Sequence, residues 1–184
     1  MRSLLTKYKL VIRFIFTFLL VYSVLSFGYK FYLDFSDGSK YYPDFFTNLI
    51  GKQTEAVLSS LDYRTNIVPH YDEPSLMVFV DQKYIARIIE GCNGLSVIII
   101  FIAFVVAFAD TFKRTFLFIL AGSVIIYAFN LIRIVLLTIG LRHYPWRSDI
   151  MHQVIFPLAI YGVVFLLMML WVNHFSKKVK AANV

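Results

Sequence analysis

The sequence predicts an all-α polytopic membrane helix bundle of about four transmembrane helices, carrying a small α+β extracytoplasmic cap. Three observations predict it. Apolar residues make up 59% of the chain and mean hydropathy is +0.71, above the roughly 45–50% apolar content of soluble domains. Several apolar runs approach the roughly 20 residues that cross a hydrocarbon core. The charge, finally, is segregated: residues 34–91 hold nine acidic and five basic residues, whereas the rest of the chain holds two acidic and thirteen basic ones.

The first run, about Leu10 to Leu33, reads as a transmembrane helix with Arg13 near its start, where the long side chain can snorkel. No small-x-small cleavage pattern precedes the bulky Phe27, Tyr29, Phe31 and Tyr32, so a retained helix is expected rather than a cleaved signal. A second span is expected from Gly91 or Cys92 to Ala109. The third covers Thr115 to Leu141 and is interrupted by Asn130 and Arg133. The fourth runs from Ser148, a suitable N-cap, to about His174. The organisation expected is a helix over 1–33, a cap over 34–91, a three-helix core over 92–176 and a basic tail over 177–184.

Short basic flanks mark the cytoplasmic side, and three clusters agree: Arg2, Lys7 and Lys9; Lys113 and Arg114; Lys177, Lys178 and Lys180. Both termini are then expected inside a cell (inner) membrane, with the acidic segment and the loop from Arg142 to Arg147 outside. The net charge of +7 therefore reads as a topology signal, and no nucleic acid is expected as a partner.

Within the cap, Pro43 and Asp44 make a helix start, followed by Phe46, Leu49, Ile50, Val57, Leu58 and Leu61 at helical spacing. That amphipathic helix is expected to lie on the membrane or on the bundle. Leu76–Val80 and Tyr84–Ile89, flanking Asp81, Gln82 and Lys83, read as a β-hairpin leading into Glu90-Gly91-Cys92-Asn93-Gly94.

Cys92 is the sole cysteine, which excludes an intramolecular disulfide. With the expected topology it sits at the outer mouth of the second span. Arg133 lies eight residues before Leu141, about 12 Å below the outer helix end, and His152 lies four residues after Ser148, about 6 Å in. An arginine at a helix centre costs at least roughly 2.5–3.5 kcal/mol on insertion scales, so it normally faces a bundle interior and has a task. Asn130, one turn before it, shares its face.

The chemistry of the set is coherent. A thiol attacks as thiolate, favoured by a nearby cation or imidazole. His152 can take and return a proton, and Arg133 can stabilise thiolate or oxyanion. Gly91 and Gly94 are expected to let a peptide backbone approach. Bland readings stand beside this one: a lone thiol is commonly a small buried hydrophobe, and Asn130 with Arg133 can simply join helices. His70, His143 and His174 are scattered, and neither a metal nor another cofactor is expected.

Glu90-Gly91-Cys92-Asn93-Gly94-Leu95, followed by Asn130-Leu131-Ile132-Arg133-Ile134 and then His152, resembles the signature of the exosortase/archaeosortase family, over about residues 88–160. The length and the aromatic, basic style resemble its short XrtF-type members of Bacteroidetes. The resemblance implies a membrane cysteine transpeptidase or protease that cleaves C-terminal sorting tails of exported proteins at the outer face and transfers them to an acceptor. It implies Cys92 as nucleophile, His152 as acid/base, Arg133 as electrostatic stabiliser, with Asn130 and Asn93 as supporting polar residues. The partners then expected are the membrane-anchored sorting tail, the lipid bilayer and a small membrane protein. A non-enzymatic membrane scaffold or assembly factor is the competing class. A small transporter is a third, without an inverted repeat to support it.

Overall fold

A computed structural model describes residues 8–36, 38, 40–147 and 150–182, without the side chains of residues 152, 153 and 174–182. Among the described residues, five α-helices and one three-stranded sheet follow in the order α1 (Lys9–Phe35), α2 (Phe45–Ser60), β1 (Thr65–Pro69), β2 (Ser75–Val80), β3 (Lys83–Ile89), α3 (Leu95–Ala107), α4 (Phe112–His143) and α5 (Phe156–Ala182). A 3-10 turn, Glu90–Cys92, joins β3 to the helix that follows, and a π-helical turn, Met151–Ile155, precedes α5. The result is a helical bundle with a small mixed cap, as the sequence predicts.

Among the described residues, α1, α4 and the Phe156–Asn173 part of α5 are long and apolar enough to cross a membrane. The fourth apolar helix departs from expectation. α3 has 13 residues, about 20 Å of helix, against the roughly 30 Å of a hydrocarbon core. It starts at Leu95 rather than at Cys92 because Gly94 takes φ +82°, a left-handed conformation that interrupts a right-handed helix. Cys92 consequently sits in the turn before the helix.

The bundle core is formed by Ile98, Phe101 and Val105 of α3, Ile126 of α4, and Ile160, Val164, Leu167 and Trp171 of α5. The Phe101 ring fills the notch beside Gly122. At the end remote from the cap, the Trp171 indole donates to the Phe108 carbonyl at 3.1 Å and stacks on Phe118. α1 packs along α3 and has no residue buried within the chain. Its Phe14 meets Phe104 and Phe108 at centroid distances of 5.8 and 4.4 Å, so the two helices run antiparallel. The exposed Leu, Ile, Val and Phe side chains of α1 are suited to lipid.

In the cap, the Asp44 carboxylate accepts from the backbone N–H groups of Phe46 and Thr47 and starts α2 where expected. The buried stripe is rotated from the one read off the sequence: Thr47, Ile50, Gly51, Thr54 and Leu58 are inside, while Val57 and Leu61 are exposed. This helix packs on the sheet and on α4. Small residues at positions 51 and 54 let it approach closely, with Leu76 directly against Gly51. The β2–β3 hairpin turns on Asp81 and Gln82 alone, with φ of +51° and +65°, the pair of left-handed residues a two-residue turn requires. Lys83 belongs to the strand. β1, antiparallel to β2, is not anticipated by the sequence: Asn66 and the terminal Pro69 disguise a five-residue strand.

α4 joins the two halves. At 32 residues, about 48 Å, it outruns a bilayer, and Ile134 enters the cap core with Ile50, Leu76, Val78, Val80 and Ile88. Tyr127 donates to Gln53 of α2 at 2.7 Å, Arg142 pairs with Asp81 at 3.1 Å, and His143 meets the Tyr63 hydroxyl at 3.1 Å. Arg133 therefore lies at the junction of cap and bundle, next to the buried Ile134.

The cap and the α3–α4 connection occupy opposite ends of the bundle. Accessibility tags inserted at Asp62 and at Asp110 should thus report opposite sides of the membrane. Labelling of both by the same impermeant reagent in intact cells would contradict the arrangement.

Candidate active site

The 3-10 turn that ends β3 delivers Cys92 to the cap–bundle junction. The residue is half-buried and packs on the cap core cluster beside Ile134. Its carbonyl oxygen accepts from the Asn130 side chain of α4 at 2.7 Å. Asn130 is itself 2% exposed, so this bond is made in a dry layer where an unpaired amide would cost about 1–3 kcal/mol.

Gly91 and Gly94 have different roles, which corrects the expectation that both admit a peptide. Gly91 is exposed, and a Cβ there would meet only Ile89 at 4.0 Å. Gly94 is buried, and a Cβ on it would meet the Asn130 side chain at 3.1–3.3 Å. The second glycine thus serves the left-handed turn and the approach of α4.

Asn93 is 1% exposed and fully engaged. Its amide nitrogen donates to the Tyr29 hydroxyl at 2.8 Å and reaches Thr47 Oγ1 at 3.4 Å, while its oxygen accepts from the Leu95 N–H at 3.0 Å. It thereby closes the turn ahead of α3 and ties it to α1 and α2. Tyr29 and Thr47 are site-forming residues that sequence reasoning missed. They lie 64 and 46 positions away, and nothing in their local pattern signals the contact.

Arg133 stands one turn after Asn130 and immediately before the buried Ile134. Its Nε is buried and has no hydrogen-bond partner among the described residues. Asp44 Oδ2, Thr54 Oγ1 and Ser75 Oγ of the cap are buried and unpaired in the same way. His152 lies in the π-helical turn, and its side chain is outside the described residues, as is Ser148. The preceding Met151 packs directly on Gly140 of α4, so the turn carrying His152 stands beside the cap-side end of that helix, about two turns beyond Arg133. Asn130 and Cys92 are therefore in direct contact and Arg133 follows on the same helix face, while the backbone of His152 belongs to the π-helical turn beside Gly140. π-turns of this kind recur at functional sites.

A second polar group flanks the cysteine. Burial pushes the Glu90 carboxyl up from its ordinary range, and the charges of Asp44 and Asp34 add to the rise.

A family model described as transmembrane exosortase matches residues 3–173. The chain belongs to the transmembrane exosortase family. No curated protein and no solved structure matches it. Family membership makes the chain a membrane protein of a transpeptidase or protease class. The matched region takes in all of α1, the cap and the junction around Cys92.

Two expectations follow from the geometry. Gly94→Ala should lower stability by about 1–2 kcal/mol through the left-handed backbone alone, with a further loss as Asn130 is displaced; thermal unfolding in detergent reads it. Because the folded-state pKa of Glu90 is raised, folding is favoured when Glu90 is protonated, and stability falls as pH rises from the ordinary value of 4.5 through the raised one. Glu90→Gln should remove that fall, so its melting temperature relative to the parent should increase from acid to neutral pH. A difference independent of pH would contradict the assignment.

Proposed function

We propose that this chain is a cysteine transpeptidase of the cell (inner) membrane that cleaves C-terminal sorting tails of exported proteins at the extracytoplasmic face. The observation that carries the reading is the buried, unpartnered Arg133 Nε on the α4 face whose Asn130 grips the carbonyl of the only cysteine. An N–H left unpaired in a dry layer costs about 1–3 kcal/mol, and a substrate oxygen arriving there would offset that cost. Family membership supports the same reaction class.

In this reading the Cys92 thiolate adds to the scissile carbonyl carbon, its proton having passed to His152. Arg133 donates to the oxyanion as charge develops. Collapse of the tetrahedral adduct breaks the C–N bond. The His152 imidazolium then gives its proton to the leaving amine, and a thioester remains on Cys92. The acceptor nucleophile attacks the thioester, loses its proton to His152 and releases the thiolate. Asn93 and Asn130 hold the turn that aims the sulfur. The extracytoplasmic placement is supported by the basic flanks at Lys113 and Arg114, at the bundle end opposite the cap.

Cys92→Ala should leave the chain folded, because a half-buried thiol before a helix leaves little cavity, and should abolish processing. Cys92→Ser should be similarly impaired. His152→Ala should stop turnover, and Arg133→Lys should lose most of it because a point charge does not replace the planar fork. Accumulation of full-length, tail-bearing proteins in membranes at matched enzyme level is the measurement. Parental processing by Cys92→Ala would move the chain to the scaffold class.

A further inference from the structure

At the end of the bundle remote from the cap, α1 runs past the end of α3. Leu10, Arg13, Phe14 and Thr17 of α1 recur at i, i+3, i+4 and i+7, the spacing of one helix face. With Val106 to Ala109 they line a hollow of about 240 Å³. Its depth follows from helix lengths. α3 covers about 20 Å of a roughly 30 Å hydrocarbon core, and Phe14 packs on Phe104 and Phe108 at its last turn. From Phe14, α1 continues to Lys9, about 8 Å further. Arg13 therefore stands where the shorter helix has just ended, one turn inside the start of the longer one.

We propose that this hollow binds the phosphate of an anionic phospholipid of the cytoplasmic leaflet, with Arg13 as its cation. The site is remote from the cysteine turn, and the proposal goes beyond the transpeptidase reading without depending on it. Arg13 is exposed and makes no ion pair among the described residues. The last carbonyls of α3 are engaged elsewhere: those of Phe104 and Val106 accept from the Phe108 N–H, and that of Phe108 accepts from the Trp171 indole. The two segments around the hollow, residues 8–17 and 106–117, hold the cations Lys9, Arg13, Lys113 and Arg114 against a single carboxylate, Asp110, which Arg114 pairs at 3.5 Å.

This surplus of positive charge lies at the end that the basic flanks assign to the cytoplasm. A guanidinium at the edge of hydrocarbon without a protein partner is costly, and a basic hollow between membrane helices on that side attracts an anionic headgroup. Leu10, Phe14 and Val106 in the same lining suit the acyl chains that arrive with the phosphate, and Thr17 adds a hydroxyl. A lipid seated there would also fill the space that the short α3 leaves beneath its end.

Photocrosslinking in nanodiscs of equal parts phosphatidylglycerol and phosphatidylcholine tests the site. The full chain carries benzoylphenylalanine in place of Leu10, an exposed residue of the lining, or of Phe112, exposed beside Lys113 and Arg114, and the adducts are weighed by mass spectrometry. Phosphatidylglycerol adducts should outnumber phosphatidylcholine adducts at Leu10. Arg13→Gln should lower that ratio about fivefold, the scale of one basic side chain at an anionic surface. Arg13→Lys should retain most of it, the Phe112 ratio should not move, and millimolar inorganic phosphate should leave both unchanged. Equal capture of the two lipids at Leu10 in the parent overturns the proposal without recourse to any variant. A ratio that Arg13→Gln does not lower, or lowers equally at Phe112, assigns the enrichment to the basic flanks at large and overturns it as well. Loss of the excess in free phosphate would make the ligand a soluble anion, and capture of a second copy of the chain would make the hollow a protein contact; either result overturns the lipid assignment.

Discussion

The hydrogen bond from the Asn130 side chain to the Cys92 carbonyl, at 2.7 Å, is the constraint around which the junction is built. It fixes the three-residue turn between cap and bundle to the middle of α4. For α4 to come that close, residue 94 must lack a Cβ, and the turn itself needs a left-handed residue at the same place. One glycine meets both demands. Asn93 completes the lock by holding Tyr29 of α1 and Thr47 of α2 from the adjacent position. Each bond is worth only about 1 kcal/mol net, yet leaving any buried member unpaired costs more than that, so the set stands or fails together.

α4 carries two hydrophobic cores in series. Ile126 belongs to the bundle core and Ile134 to the cap core, and Tyr127 packs against both. The polar pair Asn130 and Arg133 falls between the two cores, where cap meets bundle; Asn130 is buried and Arg133 partly so, and packing on both sides holds the helix that carries them.

Much of this was legible in the sequence, for identifiable reasons. Hydrophobic length and basic flanks found α1, α4 and α5, because a membrane imposes a length and a charge asymmetry that short-range patterns record. Asp44 announced the start of α2, since an N-cap is a local bond. The hairpin showed as two apolar runs around Asp81. The failures are equally physical. The burial of α2 was misjudged because its inner face uses Thr47, Gly51 and Thr54, chosen for close approach to the sheet rather than for hydropathy. β1 was missed because its strand character comes from pairing with β2, not from its own composition.

By itself, then, the sequence determined the membrane bundle, the acidic cap and the candidate trio of Cys92, Arg133 and His152, because each rests on residue types, spacing and hydropathy that act locally. Only the tertiary structure decided that Cys92 stands in a turn ahead of α3, that Asn130 holds its carbonyl, that Gly94 is a packing residue while Gly91 is open, and that Arg133 lies under the cap. These features depend on contacts between positions from 36 to 64 residues apart, and no local pattern encodes which distant side chain will arrive to satisfy a buried polar group.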